Sequence, residues 1–224
     1  MKKLKVLSWN IRNGKKDNGE VNIEEFIATI LEINPDIVFI QEMDRWKKRS
    51  GHVDQYNAIK KALGPEWDGI WGTRRHFRDK SLYGIASYSR YPIYESFNHI
   101  LADAHLESTV AQEMIVKIGK DLVSCVNIHM PFDGWHGKYM VETSWNVLSE
   151  MKFSDNLIIG GDLNVQPGSQ EIDMLLSECT DIGTQKTHEE GRINYCMSRG
   201  VKPIEQKVLD IRLSDHFPLI TTFC

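Results

Sequence analysis

The chain has 224 residues, with 27 Lys plus Arg against 31 Asp plus Glu and a formal net charge of −4. That length suits one well-filled core, and the sign of the charge excludes a polycation that coats nucleic acid indiscriminately. The four cysteines, Cys125, Cys179, Cys196 and Cys224, are scattered with no CxxC pair, which argues against a thiolate zinc site and for reduced thiols.

The start, Met1-Lys2-Lys3, is basic, but polar Ser8, Asn10 and Arg12 arrive too early for a signal peptide. No segment approaches the apolar length that spans a bilayer, so a cytoplasmic protein with no stable membrane insertion is expected. Residues 4–9 read as a buried strand ending at Asn10, followed by a polar turn around Gly14 and Gly19. Asn22 and Glu25 have the spacing of a capping box, and Ile23, Phe26, Ile27, Ile30 and Leu31 keep helical period until Asn34-Pro35. Residues 36–41 form a second apolar strand running into Gln41-Glu42. This is β-α-β grammar.

A basic stretch follows (Arg45, Lys47, Lys48, Arg49), then a helix over 54–63 and a short strand over 67–71. A second basic run, Arg74, Arg75, Arg78 and Lys80, encloses His76 and Phe77. Strands over 83–89 and 93–100 flank a tight turn. Residues 111–118 and 122–128 pattern as a hairpin, the second strand ending in Asn127-Ile128-His129. After a loop marked by Pro131, Gly134 and Gly137, a helix is predicted over 138–152. A strand over 157–160 enters Gly161-Asp162-Leu163-Asn164, and Pro167-Gly168-Ser169 opens a helix near 171–177. Strands over 193–197, 203–209 and 219–223 complete the chain. No boundary divides it, so residues 1–224 are expected to form a single α/β domain. The mixture of βαβ and hairpins predicts two sheets packed together and covered by helices.

Polar residues recur where strands end: Asn10, Glu42, Asn127 with His129, Asp162 with Asn164, and Asp215 with His216. Ligand sites in α/β sheets form at such edges. Taken singly, each has a plainer role. Asn10 would be a turn residue, Glu42 the first solvated position, His129 a hydrogen-bonded core histidine, Asp162-Leu163-Asn164 an Asx-turn, and Asp215-His216 a loop pair. One shared site accounts for all five at once. In an extended chain Asp162 and Asn164 point the same way. Glu42 and Asp215 are hard oxygen ligands suited to Mg²⁺ or Mn²⁺. His216 can act as general base or stabilise phosphoryl charge, Asp162 can orient an attacking water, and Asn164 can hold a phosphate oxygen. The chemistry expected is metal-assisted hydrolysis of a phosphate ester.

The set Ser8-Trp9-Asn10, Gln41-Glu42, Asn127-Ile128-His129, Gly161-Asp162-Leu163-Asn164 and Ser214-Asp215-His216, in that order, closely resembles the endonuclease/exonuclease/phosphatase (DNase I-like) superfamily. The resemblance implies a four-layer α/β/β/α sandwich of two mixed sheets with the site at the top of both. It implies Glu42 as principal metal ligand, with Asn10 and Asp215 near the metal. It places Asp162 and Asn164 at the nucleophile and phosphate, His216 as the catalytic histidine, and His129 on the leaving-group side. Gln41-Glu42-Met43-Asp44-Arg45, Arg49-Ser50-Gly51 and Tyr83-Gly84-Ile85-Ala86 further resemble a compact bacterial branch of metal-dependent hydrolases. One position departs. The family has Arg-(Ile/Leu)-Asp-Tyr before the last motif, and this chain has Arg192-Ile193-Asn194-Tyr195. Asn194 can orient the ring of His216 but supplies no charge, which predicts a less basic histidine and slower turnover.

The substrate is set by loops, not scaffold. The basic loops 45–49 and 74–80, with Trp46, Trp71 and Phe77 for stacking, favour nucleic acid as the phosphate-ester partner, met by a monomer. The same arginines could clamp a small phosphomonoester or a lipid headgroup. A third reading makes the chain an impaired member serving as a binding module because of Asn194.

Overall fold

The computed structural model describes residues 3–16, 18–104 and 107–224. Among these residues eleven strands and four α-helices follow in order: β1 (Leu4–Asn10), α1 (Ile23–Ile33), β2 (Ile37–Arg45), α2 (Gln55–Leu63), β3 (Asp68–His76), β4 (Leu82–Ser89), β5 (Ile93–Ala104), β6 (Glu107–Ile118), β7 (Asp121–His129), α3 (Asp133–Glu150), β8 (Leu157–Asp162), α4 (Gln170–Leu176), β9 (Asn194–Arg199), β10 (Pro203–Val208) and β11 (Leu219–Phe223).

The strands make one hydrogen-bonded mixed sheet in the order β10-β11-β1-β2-β4-β3-β6-β7-β8-β9, with β5 on the free side of β6. The sequence predicts two sheets. The structure joins them through a single register pair, Arg75 opposite Glu107, between β3 and β6. β1 with β2 and β7 with β8 run parallel, as a crossover helix between them requires. The strongly curved sheet brings its two halves face to face. Leu4, Val6, Ile37 and Phe39 of one half pack with Met114, Val123, Cys125, Ile158 and Cys196 of the other. The outer face of the first half carries Leu7, Trp9, Val38 and Ile40 under α1 and α2. The outer face of the second carries Val126, Ile128, Ile159 and Met197 under α3 and α4. Among the described residues no helix is long and apolar enough to cross a membrane.

Several elements differ from their predicted spans for identifiable reasons. β3 continues to His76, so the second basic run begins on a strand. Arg74 is buried there, and its guanidinium meets Glu107 at 3.4 Å. β5 and β6 pair along nearly their whole length, which extends both beyond the apolar stretch that marked them. α3 starts at Asp133, five residues early, but Gly137 breaks it with φ 75° and ψ 154°. Asn22 occupies the N-cap position without capping. Its side-chain amide donates to Glu25 Oε1 at 2.8 Å instead. Asp54 and Ser169 do cap their helices, accepting from the backbone N–H of Asn57 and Ile172.

Candidate active site

Period-two alternation builds the site. On β1 the inward residues are Leu4, Val6, Ser8 and Asn10. On β7 they are Val123, Cys125, Asn127 and His129, and on β8 Ile158, Gly160 and Asp162. Each inner row is apolar at one end and polar at the other. Because β1, β2, β7 and β8 share a direction within their pairs and the halves face each other, the polar ends meet. Gln41 Nε2 donates to Asn127 Oδ1 at 2.7 Å, and Asn127 Nδ2 donates to the Ile40 and Ala86 carbonyls at 3.2 and 2.9 Å. This buried layer is the floor of the site.

Glu42 breaks the alternation. As the residue after Gln41 it should turn outward, but a bulge between Ile40 and Met43 in the pairing with β4 adds one residue. Glu42 takes φ +55° there, a conformation uncommon for any residue other than glycine, and it swings the carboxylate toward the site. Asn10 Nδ2 donates to Glu42 Oε1 at 3.1 Å and to Asp162 Oδ2 at 2.9 Å. His216 Nε2 lies 3.6 Å and His129 Nε2 3.7 Å from the same Asp162 oxygen. His129 Nε2 is 4.0 Å from Glu42 Oε1. Asn194 Oδ1 accepts from His216 Nδ1–H at 2.8 Å, so Nε2 faces Asp162 as the free nitrogen. Ser214 Oγ donates to the Asn10 carbonyl at 2.9 Å and Trp9 Nε1 to the His216 carbonyl at 2.9 Å, pinning the last loop to β1.

The sequence profile of the Endonuclease/Exonuclease/phosphatase family matches residues 7–216. The chain belongs to that family. Family membership makes it one of the phosphoester hydrolases. Solved structures agree in fold. An endonuclease/exonuclease/phosphatase from Beutenbergia cavernae superposes with a TM-score of 0.81 at 18% identity, covering 100% of this chain and 72% of that one. TDP2 of D. rerio, humanized by 14 mutations, gives 0.75 at 16% identity over 99% of each chain. NExo from Neisseria, a 3′ phosphatase bound to a product DNA hairpin, gives 0.71 at 17% identity over 99% of each. No curated protein matches the sequence.

Within this family member the predicted residues fall out unequally. Asn10, Glu42, His129, Asp162, Asn194 and His216 converge as described. Asp215 sits at the rim, where its Oδ2 meets Arg12 Nε at 3.2 Å and its Oδ1 lies 3.1 Å from Ser214 Oγ. Asn10 does not present its carbonyl oxygen to the site, because Oδ1 accepts from Arg12 N–H at 3.0 Å. Asp162 and Asn164 do not lie side by side. β8 ends at Asp162, and Asn164, at φ +55°, stays on the cleft wall with its amide nitrogen donating to the Met130 carbonyl. Its backbone N–H caps Asp162 Oδ1 at 3.1 Å. The plain Asx-turn and the functional carboxylate are therefore one residue, with Oδ1 used locally and Oδ2 facing the site.

Burial sets the electrostatics. It pushes the Asp162 carboxyl up from 3.8 to about 6, against the hydrogen bonds from Asn10 and Asn164. Burial also raises Glu42, with Asp162 and Asp215 adding like charge. It holds His129 well below the ordinary imidazole value, helped by Arg74, and lowers His216 against the pull of Asp215 and Glu42. Among the described residues, Glu42 and Asp162 have only imidazoles at ion-pair range. A cluster of oxygen donors so short of positive charge suits a hard divalent cation.

The cleft above the site has a volume of about 570 Å³. Its walls include Tyr83 of the branch motif and residues that the sequence patterns do not single out: Arg12, Glu107 and His188. The His188 ring lies against that of His216, centroids 4.6 Å apart and planes tilted by 54°, and with Asp215 and His216 it offers ligand atoms within 4.8 Å of one another. Nothing in its local sequence marks it, because the contact comes from an isolated bridge between the segments holding His188 and His216. The basic loops are mostly spent on structure. Arg45 forms a two-pronged bond to Asp54 and lies over Trp46, Arg49 does the same with buried Asp44, and Arg74 serves Glu107. Arg49 and Arg75 still border the cleft.

Proposed function

We propose that this protein is a Mg²⁺- or Mn²⁺-dependent phosphodiesterase acting on nucleic acid. We read its fold as the family's four-layer α/β/β/α arrangement, on the strength of the three separate cores. The observation that carries the functional reading is the meeting of Glu42, Asp162, His129 and His216 around the shared Asn10 amide at the floor of an open cleft. Glu42 and Asp215 would hold the metal, with Asn10 fixing the angle of Glu42. The bound cation would supply Lewis-acid polarisation of the phosphoryl group.

The chain's own groups supply the rest. At neutral pH Asp162 is ionised yet more basic than an exposed carboxylate, so it can orient a water through Oδ2 and take up its proton. His216, its ring fixed by Asn194, shares that proton across 3.6 Å and places the resulting positive charge toward the phosphoryl group. His129 is kept neutral by burial and would donate a hydrogen bond to the leaving oxygen as its bond to phosphorus breaks. Arg49 and Arg75 on the cleft wall favour a polyanion over a neutral ester.

The test is hydrolysis by the purified protein with Mg²⁺, Mn²⁺ or EDTA. The panel holds single-stranded and duplex DNA, RNA, an aryl phosphodiester, and inositol and lipid phosphates. Metal-dependent cleavage of nucleic acid, lost in Asp162→Ala, is expected. Turnover confined to monoesters or lipid headgroups would reassign the substrate, and no Mg²⁺ binding by calorimetry would remove the metal from the reading. A second reading draws on one observation. The Asn194 side-chain Nδ2 is buried with no hydrogen-bond partner, so one half of this amide does nothing beside His216, as in a member whose activity is reduced by this residue.

A further inference from the structure

Immediately after β7, the turn that begins α3 carries Phe132 and Trp135 on the surface, Trp135 to 86%. The turn is firmly built. Phe132 N–H donates to His136 Nδ1 at 3.1 Å, which leaves Nε2–H to donate to Glu107 Oε1 at 3.2 Å. Glu107 is itself paired with buried Arg74. The Phe132 ring lies over Gly134, where a Cβ would come within 2.6 Å of it. Exposure of these rings is therefore held in place by the wall of the cleft and is not a by-product of a loose end.

Both rings line the same cleft as Arg75 and Phe77. Phe77 in turn lies beneath Lys47 Nζ at 3.4 Å and the Arg75 guanidinium at 4.9 Å. Flat apolar faces thus alternate with cations along one wall, beginning three residues beyond His129. Cations for a phosphate backbone and open aromatic faces for bases are the two parts of a single-strand binding surface. A duplex keeps its bases stacked on one another and could offer this wall only phosphates. A neutral apolar partner would gain nothing from the cations.

We propose that Phe132 and Trp135 form a stacking platform for unpaired bases, beside the cations held over Phe77, so that the nucleic acid taken by this cleft is single-stranded on the His129 side. This rests on the phosphodiesterase reading of the cleft, and the two are separable by experiment. Hydrolysis of an aryl phosphodiester by the wild-type protein tests the reading alone. The platform is tested by fluorescence anisotropy of labelled oligo(dT) and of a blunt duplex, in Mg²⁺, on the Asp162→Ala background so that neither is cut. Tighter binding of oligo(dT) is expected. Adding Trp135→Ala should weaken it roughly 5- to 150-fold, the range for one lost base stack, and Trp135→Phe should restore most of it. Equal affinity with and without Trp135, preference for the duplex, or binding to anionic lipid vesicles with none to oligo(dT) would overturn the proposal. The exposure of Trp135 makes these substitutions safe for the fold.

Discussion

Asn194 holds His216 with a neutral carbonyl where the family pattern has a carboxylate. A charge-assisted bond exceeds a neutral one by about 1 kcal/mol or more. Spent on a developing imidazolium, that difference is worth on the order of tenfold in rate. Asn194→Asp should therefore raise kcat by about that factor, and it removes the orphaned amide. Unchanged or lower turnover with an intact fold would count against the role given to this residue. Asp162 permits a pH test that needs no substrate. Its carboxyl is raised in the folded protein from 3.8 to about 6. A raised folded value favours the protonated form. The contribution is complete below about pH 4 and is lost as pH climbs through 6, a change of about 3 kcal/mol. In EDTA, urea unfolding should show the wild type losing stability relative to Asp162→Asn across that window, whereas parallel curves would mean the carboxylate is well solvated. The identities of the chemical groups were legible in the sequence because each sits at a strand end in a short motif. Their precise uses were not. Asn10 as a clamp between two carboxylates, and the Asn164 side chain as a donor to the Met130 carbonyl, depend on partners more than thirty residues away.

At the scale of elements, the helices and most strands could be read from periodicity, and the failures share a cause. β3, β5 and β6 are longer than their apolar runs because cross-strand pairing, not burial, defines their ends. The bulge that redirects Glu42 left no sequence signal at all, since neither glycine nor proline marks it. Gly161 is the clearer case of local necessity. It takes φ +137°, and a Cβ there would fall 1.8 Å from the Ile128 carbonyl oxygen. β7 and β8 approach too closely for any side chain, which is what lets His129 and Asp162 share one edge. Gly161→Ala should cost more than about 3 kcal/mol in urea unfolding or prevent folding. A variant within about 1 kcal/mol of wild type would show that the strands can separate there.

At the scale of the whole molecule, the mixed α/β class of this family was legible, whereas the continuity of the two predicted sheets through β3 and β6 was not. Strand pairing across a seam one residue wide cannot be seen in hydrophobic patterning. That seam depends on Arg74, whose side chain is fully buried, and on Glu107 beside it. Glu107→Ala leaves the guanidinium without its counter-charge and should destabilise by about 3–5 kcal/mol. Replacing the pair together, Arg74→Met with Glu107→Ala, should recover much of that loss in the same unfolding experiment. Failure to recover would assign the effect to Glu107's hold on His136 instead.

The hydrogen bonds between Gln41 and Asn127 and between Asn10 and Asp162 connect the two faces of the central core. The apolar remainder of that core could slide by a fraction of an ångström with little change in buried area. Directional bonds between amides and a carboxylate cannot. They act as an alignment key, so a mutation that repacks the core without unfolding it would be felt first as a mis-set distance between Glu42 and Asp162. Catalysis would then report core packing more sensitively than thermal stability does.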